Sequence, residues 1–370
     1  MRVCFVVNNL SYGGAESEVV ELALEQRRRG NQVDLVTLLP NVAHVELLKE
    51  AGVSLHQLRF RKLGLPKFLS NLQKLIRNVS PDIVHSHLYH SNIGCRLALR
   101  GSFPLVSTIH NSSEKHWSRY AIYRATERWS DLSTIVSEAG RSSFLAAGKV
   151  GRPARLRVVR NGIAVPTSGQ DAAIRIRTRE TLDLTDQFVW IAVGRHVPNK
   201  NYPLLIGSFA EHLKRAPKAV LLMVGDGYLR ASLEEQARGL PIKFLGNRND
   251  VPDLFAAADA HVMSSRLEGL PMVLLEASQV GLVSVATDVG DVGEVLLGGQ
   301  LGRLVPTEDQ KALTGAMNDL YDMKSELRDK LAQECQESVK ERYSIERIVD
   351  EWMCLYQEAI SFHSRAKKAG

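Results

Sequence analysis

Residues Ser264 to Gly281, SSRLEGLPMVLLEASQVG, which follow the strand candidate Asp259–Met263, decide how the rest of the chain reads. Ala260 to Met263 have the apolar character of a buried strand. A polar turn containing Glu268, Gly269 and Pro271 follows, and then Leu274, Leu275 and Ala277 recur at helical spacing. Proline is at home in a first helical turn, where its missing N–H is no loss, so a helix is expected over Leu270–Val280. The start of that helix aims free N–H groups and a partial positive charge at the loop, which suits an anion. Glu268 stands in the loop and Glu276 about two turns into the helix, so one acid can meet the near part of a ligand and the other its far part. Glu326 and Glu334 repeat the same interval in a polar helical stretch. Placement at a strand exit, rather than the interval, therefore singles out the first pair.

The alternation of strand and helix runs outward from this unit in both directions. In the first half, strands are expected at Arg2–Val7, Gln32–Leu38, Val53–His56, Ile83–Ser86, Leu105–Ile109, Leu132–Val136 and Arg157–Val159, with amphipathic stretches between them. The second half repeats the scheme at Phe188–Val193, Ala219–Val224, Lys243–Leu245, Ala260–Met263 and Leu282–Ala286. Such alternation predicts an α/β protein with parallel sheets covered by helices on both faces. The turn-rich patch Val165–Gly169 sets the boundary between a first domain, residues 1–165, and a second, residues 166–344. Ile345–Phe362 carries Trp352, Tyr356 and Ile360 at helical spacing and is read as a helix packed on the first domain. Ser364–Gly370 is read as frayed.

Composition narrows the class. The 370 residues are 44% hydrophobic and 24% charged, as in a soluble protein of about two domains. Cys4, Cys95, Cys335 and Cys354 form no metal or redox spacing, and reduced thiols in a cytoplasm are expected. The opening Met1–Val7 reads as a strand rather than a signal peptide, and no apolar run is long enough to span a membrane. Residues 1–170 hold 23 Lys and Arg against 12 Asp and Glu, and residues 171–370 hold 24 against 29. A basic half beside an acidic half points the first domain at an anionic partner. No zinc spacing and no RNA-binding aromatic string accompanies it, so nucleic acid is not expected and an anionic membrane surface is.

Further candidates stand at strand ends, where parallel α/β sheets bind ligands. Gly13 and Gly14 at the first strand-to-helix turn let a phosphate approach backbone N–H groups, although three-glycine dinucleotide spacing is missing. His85, His87 and His90 follow one strand, and His110 follows another. His87 and His90 have no acid at a helpful spacing, which disfavours a metal. His110 is placed to hydrogen-bond a substrate hydroxyl or shield developing charge. Arg195 and Lys200 offer a planar fork and a point charge that together neutralise a diphosphate. Asp226, between Gly225 and Gly227, is read as a turn former.

Taken in order, Gly13-Gly14-Ala15-Glu16, Asp82-Ile-Val-His85, His110, Asn161-Gly162, Gly194-Arg195 with Lys200-Asn201, Gly225-Asp226-Gly227 and Glu268-Gly-Leu-Pro271 through Glu276 resemble family 4 of the GT-B glycosyltransferases, over nearly the whole chain. That family is retaining, uses nucleotide sugars and carries a Glu-x7-Glu signature on which Glu268 and Glu276 fall. The resemblance implies two doubly wound Rossmann-like domains facing across a cleft, the first binding the acceptor and joined by helix 345–362, the second binding the nucleotide sugar. It implies that Glu276 accepts the ribose hydroxyls and Glu268 those of the donor sugar. Arg195 and Lys200 would grip the diphosphate, with Gly14 and N–H groups near Gly269 and Leu270, and His110 would lie beside the transferred sugar. No metal or other cofactor is expected. The acceptor side implies a glycan or lipid-linked glycan, in surface polysaccharide assembly, and a protein peripheral on the inner membrane face. Arg59, Arg61, Lys62, Lys67, Lys74 and Arg77 around the Pro66–Val79 helix are the expected lipid contacts. A UDP-sugar epimerase and a non-catalytic partner subunit are the alternatives. An epimer formed without acceptor would mark the first, and decay of the motif positions the second.

Overall fold

A computed structural model of the chain describes every position except 12, 42, 59–63, 111–116, 147, 149–150, 165–171 and 370, and for residues 117, 368 and 369 the backbone alone. The expected boundary at Val165–Gly169 and the basic residues Arg59, Arg61 and Lys62 lie outside the described residues. Two compact units result, Met1–Ala164 with Ser344–Gly370, and Val165–Tyr343.

In the first unit seven strands form one parallel sheet: β1 (Arg2–Val7), β2 (Gln32–Thr37), β3 (Ser54–Gln57), β4 (Ile83–His87), β5 (Leu105–Ile109), β6 (Leu132–Ile135) and β7 (Leu156–Val158), in the order β3-β2-β1-β4-β5-β6-β7. In the second unit β8 (Val189–Val193), β9 (Val220–Val224), β10 (Ile242–Gly246), β11 (Ala260–Met263), β12 (Ser284–Thr287) and β13 (Gly302–Val305) run in the order β10-β9-β8-β11-β12-β13. Both are doubly wound. Strands such as β1 and β9 are apolar at nearly every position because helices bury both of their faces.

β13 is the strand that sequence pattern misses. Its four residues, Gly-Arg-Leu-Val, offer two apolar side chains and no alternation, and pairing with β12 supplies what the local sequence lacks. Two other expectations are corrected. The helix expected over Leu270–Val280 spans Met272–Gln279, and Pro271 precedes it as the cap, its ψ of 115° being extended rather than helical. The tail expected to fray continues the helix from Ile345 to Ala369. Lys367 near its end donates to the Ser102 carbonyl at 3.3 Å, and basic residues there complement the negative helix terminus.

The first unit is completed from the far end of the chain. Ile163 bridges to Ser344, and the Ile345 N–H donates to the Ile163 carbonyl at 2.9 Å. The returning helix buries Ile345, Val349, Trp352 and Tyr356 in one core with Val3, Phe5, Val19 and Leu22. Its aromatics are packing residues as read, and truncating an aromatic of that size to alanine typically costs about 3–5 kcal/mol. The four cysteines are free thiols, three of them buried. No helix among the described residues is long and apolar enough to cross a membrane.

Candidate functional site

In the second sheet the chain leaves β8 and β11, adjacent strands, in opposite lateral directions, and ligands of such sheets bind outside the carboxyl ends of the strands at that divergence. The two loops there are Gly194–Asn201 and Ser264–Pro271, which carry most of the sequence candidates.

Lys200 and Glu268, far apart in the chain, meet in this place. Lys200 Nζ donates to Glu268 Oε1 at 2.6 Å, and the Ser265 hydroxyl donates to the same oxygen at 2.6 Å. The side chains are 21% and 13% exposed, so the pair is partly desolvated and less screened by salt than a surface ion pair. Gly194 makes room for it. A Cβ there would stand 3.1 Å from Lys200 Cε and 3.0 Å from the Tyr202 hydroxyl. Burial, followed by the Glu268 charge, raises the Tyr202 pKa, so its hydroxyl stays protonated at the foot of the site.

The loops are tied to each other by several bonds. The Arg266 N–H donates to the Asn199 carbonyl at 2.7 Å, its guanidinium donates to the Pro198 carbonyl at 3.0 Å, and it pairs with Glu308. The Ser264 hydroxyl donates to the Lys200 carbonyl at 2.9 Å. Beneath them His261 is fully buried, with Nδ1 3.0 Å from the Ser284 hydroxyl. Burial and then the Lys200 charge push its pKa down to about 3, so it adds no charge to the site. Sequence reasoning gave no role to Ser264, Ser265, Arg266 and Glu308; the first three act once β8 and β11 are neighbours, and Glu308 reaches Arg266 from beyond β13.

Arg195 follows Gly194 and is exposed, and its guanidinium has no hydrogen-bond partner among the described residues. Leu270 is buried and Glu276 half-buried on the helix Met272–Gln279, whose first turn has no side-chain cap. Gly269 gives its carbonyl to the Asp291 N–H at 3.0 Å. Gly290, also missed, lies against this loop: at its φ of 57° a Cβ would stand 2.4 Å from the Glu268 carbonyl oxygen and 2.6 Å from that of Gly269. A glycine three residues beyond the end of β12 was the available signal. Asp226 accepts the Gly227 N–H at 2.7 Å, as a turn former does. Chemically, the second unit thus presents an anchored lysine, an exposed arginine, a helix start without a side-chain cap and carboxylates at one set of strand ends.

In the first unit Gly13 caps the helix Gly14–Arg28, and the carboxylate of Glu16 folds back over it, Oε2 lying 2.5 Å from where a Cβ would be. The helix thus supplies an anion to its own positive end. His85 is internal: Nδ1 is 2.7 Å from the Tyr356 hydroxyl and Nε2 is 2.6 Å from that of Thr108. His87 ends β4 and its Nδ1 is 2.9 Å from Nε2 of His110, which remains partly exposed after β5. Burial pushes the His110 pKa down to about 4. No group of three His, Cys, Asp or Glu among the described residues is arranged to hold a metal.

A cavity of about 530 Å³ lies at the opposite strand ends of the second unit, lined by Arg175, Arg179, Asp259 and Lys218 among others. Its arginines are committed to Asp259 and to the carbonyls of Ala256, Ala257 and Ala258, a staple between the helix Ala172–Thr181 and the start of β11. The strand-exit loops remain the better site.

Comparison with known proteins bears on this arrangement. Residues 12–165 match the family model described as Glycosyltransferase Family 4, and residues 187–323 match that described as Glycosyl transferases group 1. The chain is 31% identical over 237 residues to the GDP-mannose-dependent alpha-(1-6)-phosphatidylinositol monomannoside mannosyltransferase of Mycolicibacterium smegmatis, covering 60% of this chain and 61% of that protein. It is 26% identical over 311 residues to the UDP-Gal:alpha-D-GlcNAc-diphosphoundecaprenol alpha-1,3-galactosyltransferase of Escherichia coli, covering 80% of each. Among solved structures, Anabaena Alr3699/HepE in complex with UDP-glucose superposes with a TM-score of 0.84 at 22% identity, covering 98% of this chain and 99% of that one. That likeness shows the fold.

Proposed function

This chain belongs to glycosyltransferase family 4, and we propose that it moves a sugar, with retention at the anomeric carbon, from a UDP-sugar to a glycan or lipid-linked glycan acceptor. The observation that carries the donor side is the Lys200–Glu268 pair at the divergence of β8 and β11. A nucleotide sugar brings what each partner needs to leave the other. Lys200 turns to the diphosphate, and Glu268 takes hydroxyl hydrogens of the donor sugar. Neither charge is left bare, so opening the pair costs little.

Arg195 and the N–H groups at Gly269, Leu270 and the helix start join Lys200 on the diphosphate, and Glu276 accepts from the ribose hydroxyls. From the first unit the same reading takes Gly13 and Gly14 for the phosphates, with Glu16 swinging off Gly13, and His110 for the transferred sugar. The bond from the anomeric carbon to the diphosphate oxygen breaks with oxocarbenium character, and fixed cations and dipoles stabilise the charge that builds on the departing oxygen. The acceptor oxygen bonds the same face of the carbon while its proton passes to a donor phosphate oxygen.

Glu268→Gln separates the roles of the pair. It frees Lys200 from a competing carboxylate and removes repulsion toward phosphate, so UDP alone should bind several-fold tighter while transfer slows by about 10²-fold. Glu276→Ala should instead weaken UDP by about tenfold. Calorimetry with UDP reads both, and weaker UDP binding by Glu268→Gln would sink the exchange of partners.

Support for the acceptor class is the naming of both bacterial relatives for lipid-borne acceptors. Their donors differ, UDP-galactose in one and GDP-mannose in the other. Thermal-shift measurements with UDP-, GDP- and ADP-sugars test the base, and a larger rise in Tm with a GDP-sugar would overturn the UDP assignment. Membrane-surface contact rests on the helix Leu65–Val79. It buries Phe68, Leu72 and Ile76 and leaves Lys67, Lys74 and Arg77 exposed, with Leu65 54% exposed at its start. Flotation with anionic vesicles should fall on Lys67→Glu/Lys74→Glu/Arg77→Glu; unchanged flotation would remove this face from the account.

A further inference from the structure

The first unit holds a second observation that the transfer reading does not use. His87 is 1% exposed, enclosed by the rings of His85 at 4.0 Å, His110 at 5.2 Å and Phe5 at 5.9 Å between centroids. Its Nδ1 lies 2.9 Å from Nε2 of His110, a separation that places one N–H and one lone pair between them. Its other nitrogen, Nε2, is buried with no partner among the described residues. Burial holds the pKa of His87 far below the usual histidine range and that of His110 at about 4, so both rings are neutral at pH 7.

Two neutral imidazoles can share this bond in two ways. If His110 donates from Nε2, the proton of His87 must sit on its own Nε2, as an N–H buried without an acceptor. If His87 donates from Nδ1, its Nε2 carries only a lone pair. An orphaned buried N–H is the rarer and costlier of the two in native proteins. We infer that His87 is a positioning residue that occupies Nε2 of His110 and fixes it as the Nδ1–H tautomer, so that His110 offers its substrate one hydrogen-bond donor. This rests on the reading that His110 meets the donor sugar, and it adds the specification of which ring atom does so and in which protonation state. A donor at that place suits a hydroxyl oxygen of the sugar.

The state of His110 is observable without activity. In the unliganded full-length protein labelled with ¹⁵N-histidine, long-range ¹H–¹⁵N correlation at pH 7.5 should show Nδ1 of His110 protonated and Nε2 unprotonated. His87→Phe keeps a ring of similar size but no donor and should move the proton to Nε2. His87→Asn places an amide N–H near the lost Nδ1 and should restore the original state. Transfer should follow, kcat falling about tenfold in His87→Phe with the donor KM little changed and recovering in His87→Asn. A wild-type proton on Nε2 would overturn the inference, and so would a tautomer indifferent to His87→Phe. The wild-type spectrum decides even if a variant fails to fold. His110→Ala separates the premise: loss of transfer supports the sugar contact, whereas full transfer overturns that contact and with it any use of the tautomer, whatever the spectra show.

Discussion

Lys200→Ala is expected to lower kcat/KM for sugar transfer by about 10²–10³-fold, the range seen when one preorganised charge-stabilising donor is removed. The loss follows from where the ammonium sits. Gly194 admits its aliphatic stem, Glu268 and Tyr202 stand around it, and the side chain is only 21% exposed, so water does not replace it cheaply. Alanine also takes the ammonium away from the Glu268 carboxylate, which keeps the Ser265 hydroxyl, and the negative charge it no longer offsets repels a diphosphate. Lys200→Arg should not restore activity, because a planar fork does not fit the passage over Gly194 that a slim methylene chain takes. Steady-state kinetics with the best-binding nucleotide sugar measures the effect. Transfer within tenfold of wild type in Lys200→Ala would remove the cation from the mechanism.

The second large effect comes from a residue that touches no ligand in this account. Gly290→Ala sets a methyl group on the carbonyl oxygens of Glu268 and Gly269 and holds alanine at a φ of 57°. Neither obstacle is a flexible side chain, so the loop bearing Glu268 or the turn bearing Gly290 must shift. Strain of this kind costs about 2–4 kcal/mol, which for a unit of this size lowers Tm by roughly 5–15 °C. Displacement of Glu268 and of the start of the helix Met272–Gln279 should also impair transfer, by at least about tenfold below the transition. Calorimetric scans check the first part and steady-state kinetics below the transition check the second. A Tm within about 2 °C of wild type, at unchanged kcat, would mean that the close approach is relaxed at no cost.

The pairs at the two sites show what sequence can and cannot convey. Apolar runs such as Val220–Val224 announced themselves as strands because burial on both faces removes the need for alternation. Lys200 and Glu268 could each be named from motifs, yet their contact depends on β8 lying beside β11, which no local pattern encodes. Ser265 and Gly290 carry no chemistry of their own and become legible only through the loop that they hold or leave room for. His87 stands in sequence only as one of a histidine run with no acid at a helpful spacing, and its packing shows a ring pressed between His85 and His110. Pro271 was placed one step too far into its helix, since a cap and a first-turn proline differ in ψ alone.

Because Ile163 is paired with Ser344, the whole of the second unit is threaded into the first as an insertion. On the ribosome the seven strands of the first sheet emerge long before Trp352 and Tyr356, so the nascent sheet waits with one flank uncovered while the intervening unit is made. A chimera exchanging residues 165–343 with a relative would keep that flank and its cover together, whereas a cut after Tyr343 would strand them on separate polypeptides.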